Sequence, residues 1–297
     1  MLTLEEIRHR IKSIRDIRHI TKAMHMLSTI RLREAERLLA NARPFAQRIN
    51  EVLIDITTSV GGGYHPLMAE RTGGRSAFIV FTSDRGLCGP FNDDIIKLAF
   101  DYIENHGLAD RAVFLAVGKI GRDALRAKEM PIVREYVRPG RRPTFQLAAR
   151  IASDLSELFL GQQIDEAFMV FSKFYSAVEQ HPELFRLLPI IPIDIEVKER
   201  PPRDENAVVF EPSAEAVLGH LVPRYVETSI YRALLETYAG EQAARMTAMG
   251  AATDNADRII NELMVLYNQS RQSLVTEEII EIVSGAKALF EEDSRWL

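Results

Sequence analysis

The first 43 residues of this 297-residue chain contain neither glycine nor proline, the two residues that most readily end a helix. Thr3 followed by Glu6 forms a capping box at the start. The pattern predicts one N-terminal coiled-coil helix over residues 1–60, which continues past Pro44 and ends at the glycines 61–63. Apolar residues recur along it at a mean step of about 3.5, the coiled-coil period: Leu4, Ile7, Ile11, Ile14, Ile17, Ile20, Met24, Leu27, Ala35, Leu38 and Ala42.

The other end of the chain has a similar stripe, which predicts a helical region and a second coiled-coil helix over residues 207–297. Ser213 and Leu218 predict a short helix, and Pro223 suits the first turn of the next one. Glycines such as Gly240 each cost about 1 kcal/mol relative to Ala in a helix interior, so pairing with another helix must stabilise this one. The stripe consists of Ile230, Leu234, Tyr238, Met246, Met249, Ile259, Leu263, Leu266, Leu274, Ile279, Ile282 and Leu289.

The two ends differ in charge. Residues 1–48 carry 11 Lys and Arg against 5 Asp and Glu, a net +6, whereas residues 204–297 carry 7 against 16, a net −9. Opposite charges favour association of the two ends, and we expect them to pair antiparallel into one rod.

The middle of the chain has a different texture, in which short apolar runs alternate with amphipathic segments. This alternation predicts an α/β fold with a parallel-rich, Rossmann-like sheet, a foot domain of residues 74–195 inserted between the long helices. An exposed linker is expected at 199–206. Buried strands are predicted at 76–83, 111–118, 131–137 and 166–176, and helices at 92–105, 119–128 and 144–160.

Composition narrows the functional class. The single cysteine, Cys88, cannot form an internal disulfide, and the N-terminus lacks the features of a signal peptide, so we expect a cytoplasmic location. The longest apolar runs are far shorter than the roughly 20 residues that span a bilayer, so no transmembrane segment is expected.

The stretch TSDRGLCGPFN at residues 82–92 is the main candidate for an enzyme site, because it joins a strand to a helix. It lacks the third glycine of a dinucleotide fingerprint and the Gly-Lys-Ser/Thr of a phosphate-binding loop. Cys88 has no cysteine-enzyme signature around it, and a buried thiol is the favoured interpretation. The seven histidines lack metal-binding spacing. We therefore predict no catalytic, cofactor or metal site.

Three segments resemble the gamma subunit of F-type ATP synthases. They are ITKAMHM (20–26), TSDRGLCGPFN (82–92) and the long segment from EQAARMTAMG to EIVSGA (241–286), in the order and spacing of that family. The resemblance covers essentially the whole chain. It implies a non-catalytic central-stalk rotor subunit whose helices enter an α3β3 hexamer and whose α/β domain contacts the epsilon subunit and the c-ring. It further implies a peripheral location on the cytoplasmic face of a bacterial plasma membrane.

The resemblance also implies partner-contact residues, all of which would touch loops of the β subunit. Arg271 and Gln272 match the family's contact positions, with Thr276 and Glu278 close behind. The other matching positions are Arg31 and Arg33, which face an acidic β segment, and Lys22 and Met24 in ITKAM. Departures from the family are Glu34, where a base is usual, and Pro90, where a glycine is common.

Two other functional classes compete with the rotor. One is a nucleotide-using α/β enzyme with coiled-coil arms, and ATP hydrolysis by the isolated chain would favour it. The second is a helical adaptor or membrane-associated scaffold, which failure to assemble with α and β subunits would favour. The basic N-terminal helix fits a nucleic-acid or membrane surface less well than a solvated coiled-coil face, because its apolar stripe is narrow and acids are interspersed.

Overall fold

The computed structural model describes residues 3–60, 65–71, 73–137, 142–191, 211 and 213–293. The chain forms two compact units, one of Met1–Met26 with Ala248–Leu297 and one of Leu27–Thr247. The glycines 61–63, the linker predicted at 199–206 and the last four residues lie outside the described part. The boundaries 1–60, 74–195 and 207–297 stay predictions.

Two long helices dominate the element order. Helix α1 spans Leu4–Val60 and helix α5 spans Ala214–Asp293. The capping box predicted at the start of α1 is confirmed, because the Thr3 amide donates to Glu6 Oε2 at 2.8 Å and the Glu6 amide donates to Thr3 Oγ1 at 3.2 Å. Among the described helices, none has a stretch long and apolar enough to cross a membrane.

The short helix predicted at Ser213–Leu218 is wrong, because α5 is continuous and Pro223 lies inside it. Proline removes one backbone donor and crowds the carbonyl four residues earlier. Here both Pro223 and Gly219, the residue four positions earlier, are exposed, so water can take the place of the missing hydrogen bond. Pro44 is likewise exposed within α1.

The face of α1 that is covered follows a strict heptad, with steps that alternate between three and four residues. Five of the eleven predicted stripe residues belong to this set, namely Ile7, Ile11, Ile14, Ala35 and Ala42. The predicted stripe is wrong at Ile17, Ile20 and Leu27, which are 49%, 60% and 48% exposed. Polar side chains hold the covered positions over residues 17–27. The buried or half-buried heptad set, here called the seam, is Ile7, Ile11, Ile14, Arg18, Thr21, His25, Ser28, Leu32, Ala35, Leu39, Ala42, Ala46, Ile49, Leu53 and Ile56.

In the unit made of Met1–Met26 and Ala248–Leu297, the two helices run antiparallel. Arg8 Nη2 donates to Tyr267 Oη at 2.8 Å, and Arg18 Nε lies 2.6 Å from Asp257 Oδ1. Further along, the hydroxyls of Thr21 and Thr253 are 2.8 Å apart. The Arg18–Asp257 ion pair is one contact of the kind expected between the basic N-terminal helix and the acidic C-terminal helix. Because the pair is partly exposed, it contributes at most about 1 kcal/mol to the free energy of unfolding.

The other unit contains a five-stranded sheet with strand order β3-β2-β1-β4-β5. Strands β1 to β4 are parallel, and β5 is antiparallel to β4. The strands are Ser76–Phe81, Ala112–Val117, Ile132–Tyr136, Glu166–Phe174 and Gln180–Leu188, and the intervening helices are α2 (Phe91–Asn105), α3 (Lys119–Ala127) and α4 (Phe145–Leu160). The predicted α/β fold and its parallel-rich sheet are thus confirmed.

Two strand predictions need correction. The strand at 131–137 is only partly buried, because β3 is the edge of the sheet and pairs with β2 alone. Strand β5 was missed, because its sequence QHPELFRLL contains a proline and charged residues. An edge strand tolerates proline, since the missing donor faces away from the ladder. Pro182 of β5 lies opposite Ser172 of β4.

The two faces of the sheet bury separate cores, as the alternation of side chains in a strand requires. One face carries Ile79, Leu115 and Met169 and packs against α4 and against parts of α1 and α5. The opposite face carries Phe78, Phe114 and Phe168 and packs against α2 and Leu125 of α3. A third cluster joins Leu32 and Leu39 of α1 to Leu235, Ala239 and Ala243 of α5.

Helix α5 lies close to the sheet at Gly240. A Cβ atom there would lie 2.8 Å from Ser172 Oγ and 3.1 Å from a ring carbon of Phe91, so glycine permits this contact. Gly240 therefore lets the helix lie directly against β4 and α2, although glycine weakens the helix itself.

We expect Gly240→Ala to lower the free energy of unfolding by about 1–3 kcal/mol, because the added methyl group has no room. Gly219→Ala in the same helix is the matched control, since a Cβ there meets nothing within 4 Å. That control should gain about 0.5–1 kcal/mol from helix propensity. Denaturant unfolding of both variants measures the difference, and a stabilised Gly240→Ala would contradict the close approach.

Candidate functional site

The loop TSDRGLCGPFN, which leads from β1 into α2, is closed by its own side chains. The Ser83 amide donates to Asn92 Oδ1 at 2.9 Å, and the Ser83 hydroxyl donates to the Arg85 carbonyl at 2.7 Å. The Asn92 amide group donates to Ser83 Oγ at 2.9 Å and contacts Cys88 Sγ at 3.2 Å. Because Ser83, Cys88 and Asn92 are all buried, this network serves the turn rather than a ligand.

The same loop holds the first turn of α3. Thr82 Oγ1 donates to the Val117 carbonyl and accepts from the Gly121 amide, at 3.0 and 2.9 Å. Asp84 Oδ1 accepts from the Lys119 amide at 2.9 Å, so its carboxylate caps the positive end of the helix. Gly118 has φ +94°, and a Cβ atom there would lie 2.2 Å from the Thr82 carbonyl oxygen, so only glycine fits.

A buried arginine of α5 ties this loop to the long helix. Arg245 Nη2 donates to the carbonyls of Arg85 and Gly86 at 3.0 and 3.3 Å, and Arg245 Nη1 pairs with Glu241 Oε1 at 2.7 Å. Burial raises the pKa of Glu241, and the neighbouring Arg245 opposes this shift. The sequence did not predict this connection, because its partners are about 160 residues apart and two of the acceptors are backbone carbonyls.

The interpretation of Cys88 as a buried thiol is confirmed. It is 1% exposed, and burial raises its pKa, whereas a nucleophilic cysteine needs a lowered one. In the described ranges, no group of three or more His, Cys, Asp and Glu side chains is placed to hold a metal ion.

The four contact positions predicted on α5 form one exposed stretch. Arg271, Gln272, Thr276 and Glu278 are all exposed, as is every residue from 271 to 285. The Thr276 hydroxyl donates to the Gln272 carbonyl of the same helix at 2.8 Å. The side chains of Arg271, Gln272 and Glu278 are exposed to solvent. This stretch also carries exposed apolar side chains: Leu274, Val275, Ile279, Ile280, Ile282 and Val283.

The positions predicted on α1 lie elsewhere. Lys22 is exposed and Met24 half-buried, close to the place where Thr21 contacts Thr253. Arg271 is 18 residues further along α5 than Thr253, about 27 Å at the helical rise, so the fold does not bring Lys22 and Arg271 together. Arg33 is exposed and Arg31 half-buried. Glu34, the departure from the family, pairs with Arg142 at 2.6 Å.

An apolar surface on α1 was missed as a candidate site, because the sequence pattern assigned part of it to the coiled-coil core. This surface, the α1 apolar band, consists of Ile17, Ile20, Met26, Leu27 and Ile30, which are 48–66% exposed. None of them belongs to the seam. The signal that could have found the band is the break in heptad register after Ile14, where apolar residues step to Ile17 instead of position 18.

Comparisons with known proteins agree over nearly the full length. A family model described as ATP synthase matches residues 3–289. The ATP synthase gamma chain of Desulforamulus reducens is 41% identical over 289 residues, which cover 97% of this chain and 100% of the relative. The ATP synthase gamma chain of Desulfitobacterium hafniense is 40% identical over 292 residues, with the same coverage of both chains.

Solved structures give the same result for the fold. A chain from the central stalk and c-ring of the Tetrahymena thermophila mitochondrial ATP synthase matches with a TM-score of 0.59 and 25% identity, covering 78% of this chain and 99% of that one. A chain from the rotor of the Euglena gracilis mitochondrial ATP synthase matches with a TM-score of 0.63 and 16% identity, covering 92% and 98%.

Burial of Cys88 predicts a pH effect on stability. An unfolded thiol titrates near the usual value of 9.0, whereas the folded thiol titrates at a higher pH. The unfolded chain therefore loses its proton first, and stability falls as the pH rises above about 9. We expect Cys88→Ala to reduce this fall, as measured by denaturant unfolding between pH 7 and 10; an identical pH dependence in both proteins would contradict the assignment.

Proposed function

The chain belongs to the ATP synthase gamma chain family, and we propose that it is the central-stalk rotor subunit, which turns inside a hexamer of α and β subunits. In this role it couples ion flow through a membrane ring to ATP synthesis or hydrolysis on the β subunits. Its partners are the α, β and epsilon subunits and the c-ring.

The exposed stretch of α5 from residue 271 to 285 is the observation that carries this proposal. An isolated helix is only marginally stable in water, and contiguous exposed apolar surface indicates a surface that binds a partner. Six large aliphatic side chains in that stretch are at least 44% exposed. A sleeve of other subunits around the helix would cover them on all sides.

The α1 apolar band supports the same interpretation from the second helix. Its side chains lie outside the seam, so pairing with α5 does not cover them. A shaft in a sleeve is expected to have apolar residues on more than the face that joins its own helices. The band and the 271–285 stretch together provide faces of different composition, so a β subunit would meet a different surface at each angle of rotation.

Differential contact of this kind is how rotation would change catalysis. A shaft can shift a β subunit between conformations only as far as its contacts favour one conformation over another. We propose that Arg271, Gln272, Thr276 and Glu278 make such contacts, with Arg31, Arg33, Lys22 and Met24 acting at other heights along the helices. The exposed charged groups among them would set angular register more than affinity, since water screens them.

We propose further that the subunit is non-catalytic. The loop that most resembles a nucleotide-binding turn uses its side chains to cap α3 and to hold Asn92, and its carbonyls at Arg85 and Gly86 accept from Arg245. Phosphate-binding loops instead direct free backbone amides at the ligand. The proposed location is the cytoplasmic face of a bacterial plasma membrane, with peripheral attachment through the complex.

The contact assignment predicts the effect of Arg271→Ala combined with Gln272→Ala. Because both side chains are exposed, the fold should be unaffected, while ATP-driven ion pumping by the assembled complex should fall about tenfold, equivalent to about 1.4 kcal/mol in the coupled step. Pumping and ATP hydrolysis are measured together in reconstituted vesicles.

The matched control is Arg258→Ala combined with Gln269→Ala, which removes the same residue types from exposed positions earlier in α5. Arg258 forms an exposed ion pair with Glu262 and a long, exposed hydrogen bond of 3.4 Å to Asn255 Oδ1, so this variant should pump normally. Normal pumping in the Arg271 and Gln272 double variant, or an equal loss in both, would contradict the assignment.

The α1 apolar band gives a separate prediction. Ile17→Ser combined with Ile20→Ser should change the stability of the isolated chain by less than about 1 kcal/mol, because both side chains are already exposed. Its affinity for α and β subunits should fall about tenfold for each isoleucine that the sleeve buries. Assembly at graded subunit concentrations measures this affinity.

Ile7→Ser combined with Ile11→Ser serves as the contrasting variant, because these seam residues are 0% and 5% exposed. It should destabilise the isolated chain by several kcal/mol. If the Ile17 and Ile20 variant assembles as tightly as the unmodified chain, the band does not contact the sleeve.

A further inference from the structure

Arg8 of α1 contacts Tyr267 of α5 in the unit of Met1–Met26 with Ala248–Leu297. In the same unit Thr21 of α1 contacts Thr253 of α5. Arg8 lies 13 residues before Thr21, and Tyr267 lies 14 residues after Thr253. The two helices therefore keep one antiparallel register from the threonine contact to the Arg8 contact.

This register places the Arg8 contact one helical turn before the paired part of the helices ends. Leu4, the first residue of α1, precedes Arg8 by four residues, and Arg271 follows Tyr267 by four. Leu4 and Arg271 are therefore about level with each other. From that level onward, every residue of α5 from 271 to 285 is exposed. The contact is thus close to the end of the support that α1 gives to α5.

The contact combines a directional hydrogen bond with a ring contact. Arg8 Nη2 donates to Tyr267 Oη at 2.8 Å, and the guanidinium carbon lies over the Tyr267 ring, 5.8 Å from its centre. That distance is near the outer limit of a cation–π contact, so the hydrogen bond is the stronger restraint. Ile7, the residue before Arg8, is 0% exposed, so α1 is packed at this turn. Because a tyrosine side chain has only two rotatable bonds, holding its hydroxyl restrains the rotation of α5 about its own axis.

The restraint at Tyr267 extends to the proposed partner-contact residues. Tyr267 and Arg271 lie on the same face of α5, because residues four apart in a helix are neighbours. A change in the direction of Tyr267 therefore changes the direction of Arg271 and of the adjacent Gln272. Such changes are expected near the end of a paired segment, where helix ends fray. The capping box at the start of α1 is local to that helix, whereas the Arg8 hydrogen bond joins it to α5.

We propose that Arg8 and Tyr267 are positioning residues of the rotor, whose contact sets the angle at which α5 presents Arg271 and Gln272 to a β subunit. The two residues act through the backbone of α5. The proposal rests on the rotor function proposed above and on the contact assignment of Arg271 and Gln272.

Two single variants test the proposal. Tyr267→Phe removes only the hydroxyl that accepts the hydrogen bond, and Arg8→Met removes the donor but keeps a long apolar stem. Each should lower the number of ions pumped per ATP hydrolysed by about threefold in the complex reconstituted in vesicles, because each removes one hydrogen bond of a charged group. The thermal midpoint of the isolated chain should change by less than about 2 °C, since the Arg8 side chain is exposed.

A combined variant separates positioning from other roles. If both residues act through one bond, Arg8→Met combined with Tyr267→Phe loses no more pumping than either change alone. Lys12→Met is the matched control, because it removes an exposed basic side chain from the next turn of α1, and it should pump normally. Normal pumping in Tyr267→Phe, additive losses in the combined variant, or an equal loss in Lys12→Met overturns the proposal.

A second measurement uses the isolated chain. Spin labels at His9→Cys and Asn268→Cys, two exposed positions next to the contact residues, report the separation of the two helices when Cys88→Ala is also present. Tyr267→Phe should broaden the distribution of label distances, because the two helix ends are no longer joined by the hydrogen bond. An unchanged distribution overturns the positioning role, whatever the complex does.

The outcomes also distinguish this proposal from the rotor function. Failure of the unmodified chain to assemble with α and β subunits overturns the rotor function and this proposal with it. Impaired pumping in the Arg271 and Gln272 double variant, together with normal pumping in Tyr267→Phe, overturns the positioning role alone.

Discussion

Burial of a heptad seam is the constraint on which the rest of the structure depends. Neither α1 nor α5 has the propensity to persist alone at its length, and α5 contains four glycines. Each unit solves this locally, by packing the two helices antiparallel along positions spaced three and four residues apart. The seam tolerates Thr21 and Arg18 because Thr253 and Asp257 meet them from the facing helix. Where the seam ends, at the start of α1, the side chains of α5 become exposed.

In the larger unit, helix α5 is joined to the sheet by contacts that leave little freedom. Gly240 removes the side chain that would hold the helix away from Ser172, and Arg245 inserts its guanidinium under the loop that follows β1. That loop also caps α3 through Asp84 and positions α2 through Asn92. A displacement of the sheet would therefore be resisted by α5 through hydrogen bonds as well as through packing. Such stiffness suits a subunit that transmits torque.

The exposed apolar side chains have meaning only in an assembly. A free protein loses stability or solubility by exposing isoleucine and leucine along a helix, and the cost is recovered when a partner covers them. The 271–285 stretch and the α1 apolar band expose such side chains, with charged residues interspersed. In the rotor proposed above, α and β subunits would cover both surfaces. Because the two surfaces differ, rotation would present each β subunit with changing contacts.

The sequence by itself determined the two long helices, four of the five strands, the α/β class and the family, because helix breakers, short apolar runs and long motifs are local signals. Only the tertiary structure decided which face of α1 is covered. Ile17 and Ile20 match the helical period as well as Thr21 and Ser28 do, and periodicity cannot distinguish a face buried within the chain from one that another subunit covers. The tertiary structure also decided that Pro223 lies within a helix and that QHPELFRLL is an edge strand, because both depend on which backbone groups are exposed to water. The hydrogen bonds from Arg245 to the 82–92 loop could not be predicted either. Their acceptors are the backbone carbonyls of Arg85 and Gly86, which the sequence of side chains does not reveal.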